Sequence, residues 1–351
     1  MKRILFNTSK GAFKDAGGGE MQLLQTKKSL EALGFEVKIL EQIGYETDYS
    51  NFDLLHNFNI HRDNKEIILK AKKAGLPVAI STIYWPSLKN ALLWNHGIGK
   101  AKAVAVELIN RIDVFGFSSV RKMLNAADLL LPNSHAEAAA LESIFSLRPE
   151  KIFVVPNGVE KRFFDATPKA FEEKYGLRDF VLFVGRIEER KNVLSLIRAM
   201  KGIEEKLVII GAPTPQSRDY FELCRKEAGK NVVFLEALRH ESPLLESAYA
   251  ACRVFCLPSW YETPGLAALE AGLAGAGLVV TEEGCTKEYF GNGALYVKPA
   301  SVQDIAEKIR MALEREQSGE LQEKILRNFL WGNAAKETGK AYLSVGGALD
   351  G

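Results

Sequence analysis

The sequence predicts an α/β protein that contains two doubly wound domains. Short apolar runs alternate with longer stretches of helical spacing along most of the chain. This alternation is typical of parallel sheets that are covered by helices on both faces. At least eleven apolar runs are present, which is too many for one sheet in such a chain. A length of 351 residues also favours two domains.

The first series of apolar runs lies in the N-terminal half, at residues 4–6, 37–40, 54–55, 77–80 and 129–131. Helical spacing follows the first run at residues 21–33. The region 85–122 is less periodic and mixes basic with apolar residues. One interpretation is one or two surface helices. The other is a basic, partly apolar face that contacts a membrane or a lipid-linked acceptor.

The second series lies in the C-terminal half, at residues 180–184, 207–210, 232–235, 254–257, 277–280 and 294–297. Just before it, Pro168 and Gly176 interrupt a charged stretch, and such residues mark loops. We therefore predict an N-terminal domain at residues 1–170 and a second domain at residues 171–330. The closing helical segment, residues 331–351, could pack on either domain.

Composition excludes several classes of protein. Hydrophobic residues make up 47% of the chain, which is enough apolar material to exclude general disorder. A net charge of +2 argues against a dedicated nucleic-acid binder. The four cysteines lack the spacing of a zinc site, so we expect reduced thiols and no metal. The sequence has neither a signal peptide nor a run of about 18 apolar residues, and we expect a cytoplasmic protein.

Three consecutive glycines, Gly17, Gly18 and Gly19, lie between the first predicted strand and helix. Glycine permits unusual backbone angles and the close approach of a ligand. This loop could therefore aim free amides at an anion or a sugar. A plain flexible turn would explain the same residues. The spacing matches neither the dinucleotide-binding fingerprint nor a Walker A loop.

Two basic residues follow the first strand of the second domain. Arg186 comes directly after this strand, and Lys191 precedes the next helix. Open α/β sheets bind ligands at the carboxyl ends of their strands, so both side chains could converge on a phosphate. The alternative is that both are solvated surface residues.

The segment after residues 254–257 contains a predicted helix start. Thr263 fits an N-cap, and Pro264 fits the first helical position. The free amides near Gly265 and Leu266 would then carry a partial positive charge that suits a diphosphate.

Two carboxylates flank this helix start, Glu262 just before it and Glu270 about two turns inside it. They would repel phosphates, but they can accept hydrogen bonds from sugar hydroxyls. The pattern therefore predicts a ligand with a diphosphate and hydroxyl-rich ends. The alternative is that both glutamates decorate a surface helix.

These motifs, in this order, resemble those of the family-4 retaining glycosyltransferases of the GT-B fold. The resemblance covers nearly the whole chain and implies two Rossmann-like domains that face a cleft. It rests on GGGE at residues 17–20, VPNGV at 155–159, VGR with the following lysine at 184–191, PSWYE at 258–262 and the glutamate pair at 262 and 270. The closing helix also resembles the family's last helix, which crosses back to the first domain.

The resemblance implies a nucleoside diphosphate sugar donor, linked to UDP or GDP, and a glycan or lipid-linked acceptor. It further implies retention at the anomeric carbon, no metal or other cofactor, no nucleic-acid partner and an optional peripheral contact with the membrane. Arg186 and Lys191 match the family's diphosphate-binding pair, and Glu262 matches the residue on the donor sugar. The residues that match further donor contacts are Gly17, Gly18, Gly265, Leu266 and Glu270.

One departure from the family concerns a histidine that contacts the donor sugar. Many members carry it after the strand that corresponds to residues 77–80, where this chain has Ser81 or Thr82. The residues that could replace it are Tyr84, Trp85, His96, His56 and His61. We expect the other two histidines, His135 and His240, to flank a helix and to lie on a surface loop. A second departure is Pro264, which removes one backbone donor at the helix start.

Three functions stay open at the level of sequence. The first is a retaining glycosyltransferase. The second is another GT-B enzyme, a sugar-nucleotide epimerase or a phosphorylase, although the carboxylates or the lysine-bound pyridoxal phosphate that these need are not evident. The third is a non-catalytic sugar-nucleotide-binding or scaffold subunit, which the missing histidine suggests.

Overall fold

The computed structural model of the protein describes residues 2–15, 17–84 and 118–345. The chain divides into two units, which are considered separately. Unit 1 comprises Met1–Gly158 and Trp331–Gly351, and unit 2 comprises Val159–Leu330. Most of the basic region at 85–122, with Trp85 and His96, lies outside the described residues.

Unit 1 contains a parallel sheet of five strands in the order β2-β1-β3-β4-β5. The strands are β1 (Arg3–Asn7), β2 (Glu36–Ile39), β3 (Leu54–Phe58), β4 (Val78–Ser81) and β5 (Leu129–Leu130). Its described helices are α1 (Gly18–Glu31), α2 (Leu40–Ile43), α3 (Lys65–Lys73), α4 (Ser119–Ala126) and α5 (His135–Phe145). Strands β1, β3 and β4 are almost entirely buried, and Leu5, Leu55 and Ile80 are fully buried, as expected of a sheet covered by helices.

Unit 2 contains a parallel sheet of six strands in the order β11-β10-β9-β6-β7-β8. The strands are β6 (Phe180–Val184), β7 (Leu207–Ile210), β8 (Val232–Leu235), β9 (Cys252–Leu257), β10 (Gly277–Thr281) and β11 (Ala294–Val297). The described helices are α6 (Lys169–Tyr175), α7 (Val193–Ala199), α8 (Arg218–Glu227), α9 (Pro243–Ala251), α10 (Leu266–Leu273), α11 (Thr286–Phe290), α12 (Val302–Glu314) and α13 (Glu320–Asn328).

Serine caps begin several of these helices. In each case the serine hydroxyl accepts a hydrogen bond from a backbone N–H of the first turn, which has no partner within the helix. The capping residues are Ser118 before α4, Ser134 before α5, Ser242 before α9 and Ser301 before α12. His135, which was expected to flank a helix, is the first residue of α5.

The last helix, α14 (Trp331–Val345), belongs to unit 1, where it packs against α1. Its Tyr342 hydroxyl lies 2.6 Å from Nδ1 of His56, a buried residue of β3. Trp331 and Tyr342 are both buried. The C-terminal segment is therefore part of the unit 1 core.

The boundary between the units lies at Gly158 and Val159, earlier than the predicted boundary after residue 170. Residues 159–168 belong to unit 2 because Val159 forms an isolated bridge with Leu330 and Phe163 is buried in the unit 2 core. The prediction relied on Pro168 and Gly176, but these residues punctuate a helix within unit 2: Pro168 precedes α6 and Gly176 ends it.

None of the helices in the described part of the chain is long and apolar enough to cross a membrane. The four cysteines, Cys224, Cys252, Cys256 and Cys285, are unbridged and buried. In residues 2–15, 17–84 and 118–345, no group of three or more acidic, cysteine or histidine side chains has the arrangement of a metal site.

Candidate functional site

The strand order of unit 2 reverses direction beside β6. This strand pairs with β7 on one side and with β9 on the other, so the chain leaves β6 and β9 at a topological switch point. Open α/β sheets form a crevice for ligands beyond the carboxyl ends of the two strands at such a point. The loops at residues 185–192 and 258–265 are therefore the candidate site of unit 2.

Hydrogen bonds to backbone carbonyl oxygens hold these two loops together. Asn192 adopts a left-handed conformation with φ of 58°, and its buried side-chain amide donates to the carbonyl oxygens of Pro258 at 3.1 Å and Pro299 at 2.8 Å. The N–H of Trp260 donates to the Arg190 carbonyl at 3.0 Å. The side chains of one loop are thereby fixed relative to those of the other.

Glu262 is the centre of a buried charge cluster. Its Oε1 lies 2.6 Å from Nζ of Lys191 and 3.7 Å from Nη1 of Arg190. Burial alone would raise the pKa of Glu262, but the charges of Lys191 and Arg190 outweigh burial, so its pKa is lowered and the carboxylate is ionised at neutral pH. Burial lowers the pKa of Lys191.

Arg186 lies in the same loop but pairs with another residue. Its Nε is 3.8 Å from Oε2 of Glu188, and its side chain is 42% exposed. Glu188 also binds Arg190, with 3.0 Å between Oε1 and Nη2. Arg186 is thus the most solvent-accessible cation of this loop, whereas Lys191 and Arg190 are largely buried.

A close backbone approach fixes the position of Glu262. Its N–H donates to the Glu283 carbonyl, and its own carbonyl accepts from the N–H of Cys285, each at 3.2 Å. Gly284, between these residues, has φ of +103°, and a Cβ there would lie 2.1 Å from the Glu262 carbonyl oxygen. Only glycine fits this position, because a side chain would displace Glu262.

Helix α10 begins at Leu266, with Gly265 as its N-cap. The predicted N-cap at Thr263 and first helical residue at Pro264 are therefore wrong. Gly265 has φ of +86°, outside the helical region, so regular helix cannot begin before it. A Cβ on Gly265 would lie 3.4 Å from Oε2 of Glu262, which places the helix start directly beside the charge cluster.

Glu270, in α10, is held by two side chains. Its Oε1 lies 2.9 Å from Nε2 of His240, and its Oε2 accepts a 2.7 Å hydrogen bond from the Tyr249 hydroxyl. His240 lies in a loop, as expected, and its neighbours Arg239 and Glu241 are exposed, but its own side chain is only 15% exposed. Burial by itself would lower the pKa of His240, but the hydrogen bond and charge of Glu270 outweigh burial and raise it.

In unit 1 the glycine loop forms the start of α1. Gly17 is the N-cap and Gly18 the first helical residue. The N–H of Gly17 donates to Oε2 of Glu20 at 2.7 Å, which is one half of a capping box. The structure thus explains the glutamate of the GGGE motif as a helix cap.

The position of the family histidine is occupied by residues that bond within unit 1. The Ser81 hydroxyl lies 2.9 Å from Nε2 of His56. Burial lowers the pKa of His56 to about 3, so its ring is neutral. Thr82 donates to Glu137, which also accepts from the N–H of Tyr84 at 2.6 Å.

The other suggested replacements for that histidine fall into three groups. Tyr84 is buried, with its ring against Phe145 at a centroid distance of 5.3 Å. His61 is exposed, with Nδ1 3.2 Å from Asp63. Trp85 and His96 lie outside the described residues.

Three residues of the unit 2 site were missed at the level of sequence: Arg190, His240 and Tyr249. Arg190 adjoins Lys191, and this pair of cations was the available signal. His240 and Tyr249 precede Glu270 by 30 and 21 residues, and no sequence pattern connects them to it.

Comparison with known proteins identifies relatives of this chain. The model of the family described as glycosyl transferases group 1 matches residues 166–329. An uncharacterized glycosyltransferase of Methanocaldococcus jannaschii is 33% identical over 222 residues, which are 57% of this chain and 56% of that relative. A D-inositol 3-phosphate glycosyltransferase of Kribbella flavida is 29% identical over 244 residues, 63% of this chain and 57% of that relative. The chain spans little more than half the length of these curated relatives.

Solved structures resemble the chain over almost its whole length. Sucrose-phosphate synthase from Thermosynechococcus elongatus has a TM-score of 0.80 at 19% identity, covering 99% of this chain and 100% of that one. Anabaena HepE, solved in complex with UDP-glucose, has a TM-score of 0.71 at 18% identity, covering 98% of this chain and 100% of that one. The protein therefore has the GT-B fold. Within it, residues 166–329 match the model of the group 1 glycosyl transferases, which agrees with the resemblance at this level.

Proposed function

We propose that this protein is a retaining glycosyltransferase that moves a sugar from a nucleoside diphosphate to a hydroxyl of a glycan or lipid-linked acceptor. The observation that carries the proposal is the charge cluster of Glu262, Lys191 and Arg190 beside the start of α10 at the switch point of unit 2. It combines cations, a helix start and a carboxylate, and a nucleoside diphosphate sugar offers a complementary group to each.

In the proposed donor complex the cations and the helix start bind the diphosphate. Arg186 is exposed and can pair with a phosphate without leaving a buried carboxylate unpaired. Lys191 would turn from Glu262 towards the phosphate, and Arg190 would remain to balance Glu262. The amides near Gly265 and Leu266 would add the partial positive charge of the helix start. Gly17 and Gly18 stay predicted donor contacts.

The two glutamates would bind the hydroxyl-bearing ends of the donor. Glu262, once Lys191 moves, can accept a hydrogen bond from a sugar hydroxyl, and Glu270 can accept from the ribose. The anomeric configuration would be retained if the acceptor hydroxyl attacks the anomeric carbon from the face that the diphosphate leaves and its proton passes to the departing diphosphate oxygen. Arg186, Lys191 and the helix start would stabilise the departing diphosphate, so the proposed reaction needs no metal ion.

The test is a transfer assay with UDP-linked and GDP-linked sugars, a panel of acceptor hydroxyls and detection of the released nucleoside diphosphate. A solved neighbour contains UDP-glucose, and a relative is named for D-inositol 3-phosphate, so these two compounds come first. We expect release that depends on the acceptor, persists in EDTA and retains the anomeric configuration by NMR. An inverted product would contradict the proposed stereochemistry.

A cytoplasmic location and a membrane contact through residues 85–122 stay predictions.

One observation favours a second candidate, a non-catalytic sugar-nucleotide-binding subunit. At the position of the family histidine this chain has Ser81, which is buried and hydrogen-bonds to His56, so no imidazole is present at that position. One measurement, the release of nucleoside diphosphate, distinguishes the two candidates. A binding subunit would bind the nucleotide sugar tightly and release no nucleoside diphosphate with any acceptor.

A further inference from the structure

Glu270 is bracketed by two hydrogen-bonding side chains from a single segment. His240 lies in the loop before α9, and Tyr249 lies on α9 itself. Tyr249 is fully buried, and burial with the nearby Glu270 charge raises its pKa well above the usual value, so its hydroxyl stays protonated and donates. His240 and Tyr249, together called the bracket, each hold one oxygen of the Glu270 carboxylate.

The imidazole of His240 is itself fixed by its surroundings. It packs against Phe163 in an edge-to-face arrangement, with 5.9 Å between the ring centroids. Arg162 donates to the His240 carbonyl oxygen and pairs with Glu246 at 2.6 Å. Nδ1 of His240 is buried and lies 3.7 Å from Oε2 of Glu160. The ring therefore has little freedom to rotate away from Glu270.

The bracket leaves acceptor capacity on Glu270. An ionised carboxylate has about four lone-pair sites, and the bracket uses one on each oxygen. With respect to the described residues about two sites remain, in directions that His240 and Tyr249 determine. A ribose offers two adjacent hydroxyls, and a 2′-deoxyribose offers one.

We propose that His240 and Tyr249 are positioning residues that orient the Glu270 carboxylate towards the two ribose hydroxyls and thereby set the preference for ribonucleotides over 2′-deoxyribonucleotides. This inference rests on the proposed function, since it assumes that Glu270 contacts the ribose of the donor. Neither positioning residue touches the nucleotide. Without the bracket, the carboxylate samples several rotamers, and ordering it on binding costs free energy that the second hydroxyl no longer offsets.

The experiment is calorimetric titration with UDP and 2′-deoxy-UDP, and with GDP and 2′-deoxy-GDP, of the full chain. The proteins are the wild type, Tyr249→Phe, His240→Gln and Glu270→Gln. Tyr296→Phe is the matched control, because it also removes one hydroxyl hydrogen bond of unit 2, to the Gly291 carbonyl at 2.6 Å. Thermal unfolding of each variant verifies that it is folded.

A hydrogen bond to a charged acceptor predicts a ribose preference of about 10- to 100-fold in the wild type and in Tyr296→Phe. We expect Tyr249→Phe and His240→Gln to reduce this preference at least fivefold, because the ribonucleotide loses two well-oriented hydroxyl contacts with Glu270 and the 2′-deoxynucleotide loses only one. A purely structural role would weaken both nucleotides equally and leave the ratio intact, which overturns the inference.

Two further outcomes separate the inference from the proposed function. If Glu270→Gln loses the ribose preference while Tyr249→Phe and His240→Gln keep it, the donor site stands and the positioning role is wrong. If the wild type binds neither nucleotide of either pair, the proposed donor site fails, and the inference fails with it.

Discussion

Replacing Lys191 by methionine tests whether the charge cluster around Glu262 is one energetic unit. Lys191 Nζ lies 2.6 Å from Glu262, and the two side chains are only 15% and 5% exposed. Removing one partner of a buried ion pair costs about 3–5 kcal/mol, because the other charge stays buried without compensation. Arg190, 3.7 Å from the same carboxylate oxygen, compensates part of that loss. We therefore expect Lys191→Met to lower the free energy of unfolding of unit 2 by about 3 kcal/mol.

Glu262→Gln removes the carboxylate that both Lys191 and Arg190 contact, so we expect the free energy of unfolding to fall by the upper end of that range, about 5 kcal/mol. The double variant leaves no pair to break and should cost little more than Glu262→Gln alone. The coupling energy of the double-mutant cycle is then about 3 kcal/mol, since 3 and 5 would sum to 8 where about 5 is expected.

The assay is hydrogen exchange of the β6 and β9 amides at increasing urea concentration, which reports the unfolding of unit 2 alone. This choice matters because two units need not unfold together. The control cycle uses Lys169 and Glu173 of α6, an exposed ion pair at 3.8 Å, where we expect almost no coupling. Additive costs for Lys191 and Glu262 would contradict this coupling, because they would mean that the two charges do not depend on each other.

Three other perturbations have expected outcomes. Gly284→Ala should destabilise unit 2 by about 1–3 kcal/mol more than Gly202→Ala in urea titrations. Both glycines have positive φ, but a Cβ added at Gly284 would lie 2.1 Å from the Glu262 carbonyl oxygen, whereas one added at Gly202 would meet no described atom within 4 Å. The pKa of His56 in the folded protein is about 3, below the usual 6.5, so its contribution to the free energy of unfolding is present above pH 6.5 and is lost as the pH falls towards 3. As the pH falls over this range, the melting temperature of the wild type should fall more steeply than that of His56→Gln, and parallel curves would contradict this. The pKa of His240 is raised in the folded protein, where Glu270, Glu160 and Arg162 surround its ring. Its contribution to the free energy of unfolding is therefore present below pH 6.5 and is lost as the pH rises through the raised pKa. The melting-temperature advantage of the wild type over His240→Gln should then shrink between pH 6 and pH 9, and a growing advantage would contradict it.

Much of the fold could be predicted from the sequence because parallel strands buried on both faces appear as short apolar runs. All five runs of the first series and all six of the second overlap strands of the two sheets. The boundary could not be placed as well, since Val159 and Phe163 join unit 2 through contacts with distant residues. Glycine and proline signals near residue 170 report the ends of a helix rather than the end of a domain.

The candidate site could be predicted only where its residues stand next to a strand end. Lys191 and Glu262 are 71 residues apart, yet both follow strands that are neighbours at the switch point, so they meet. The start of α10 was predicted too early, because the N-cap rule favours threonine followed by proline over a glycine with positive φ. The support of Glu270 by His240 and Tyr249 depends on how α9 packs against α10, which the sequence pattern does not encode.

In the proposed function, unit 2 binds a nucleoside diphosphate through the loops after β6 and β9. The most direct test is calorimetric titration of UDP and GDP into the wild type, Glu270→Gln and Lys191→Met. We expect at least one of the two nucleotides to bind the wild type and both substitutions to weaken its affinity by about tenfold or more, since each removes a charge-assisted contact. An affinity that neither substitution changes, or no binding of either nucleotide, would contradict this binding site.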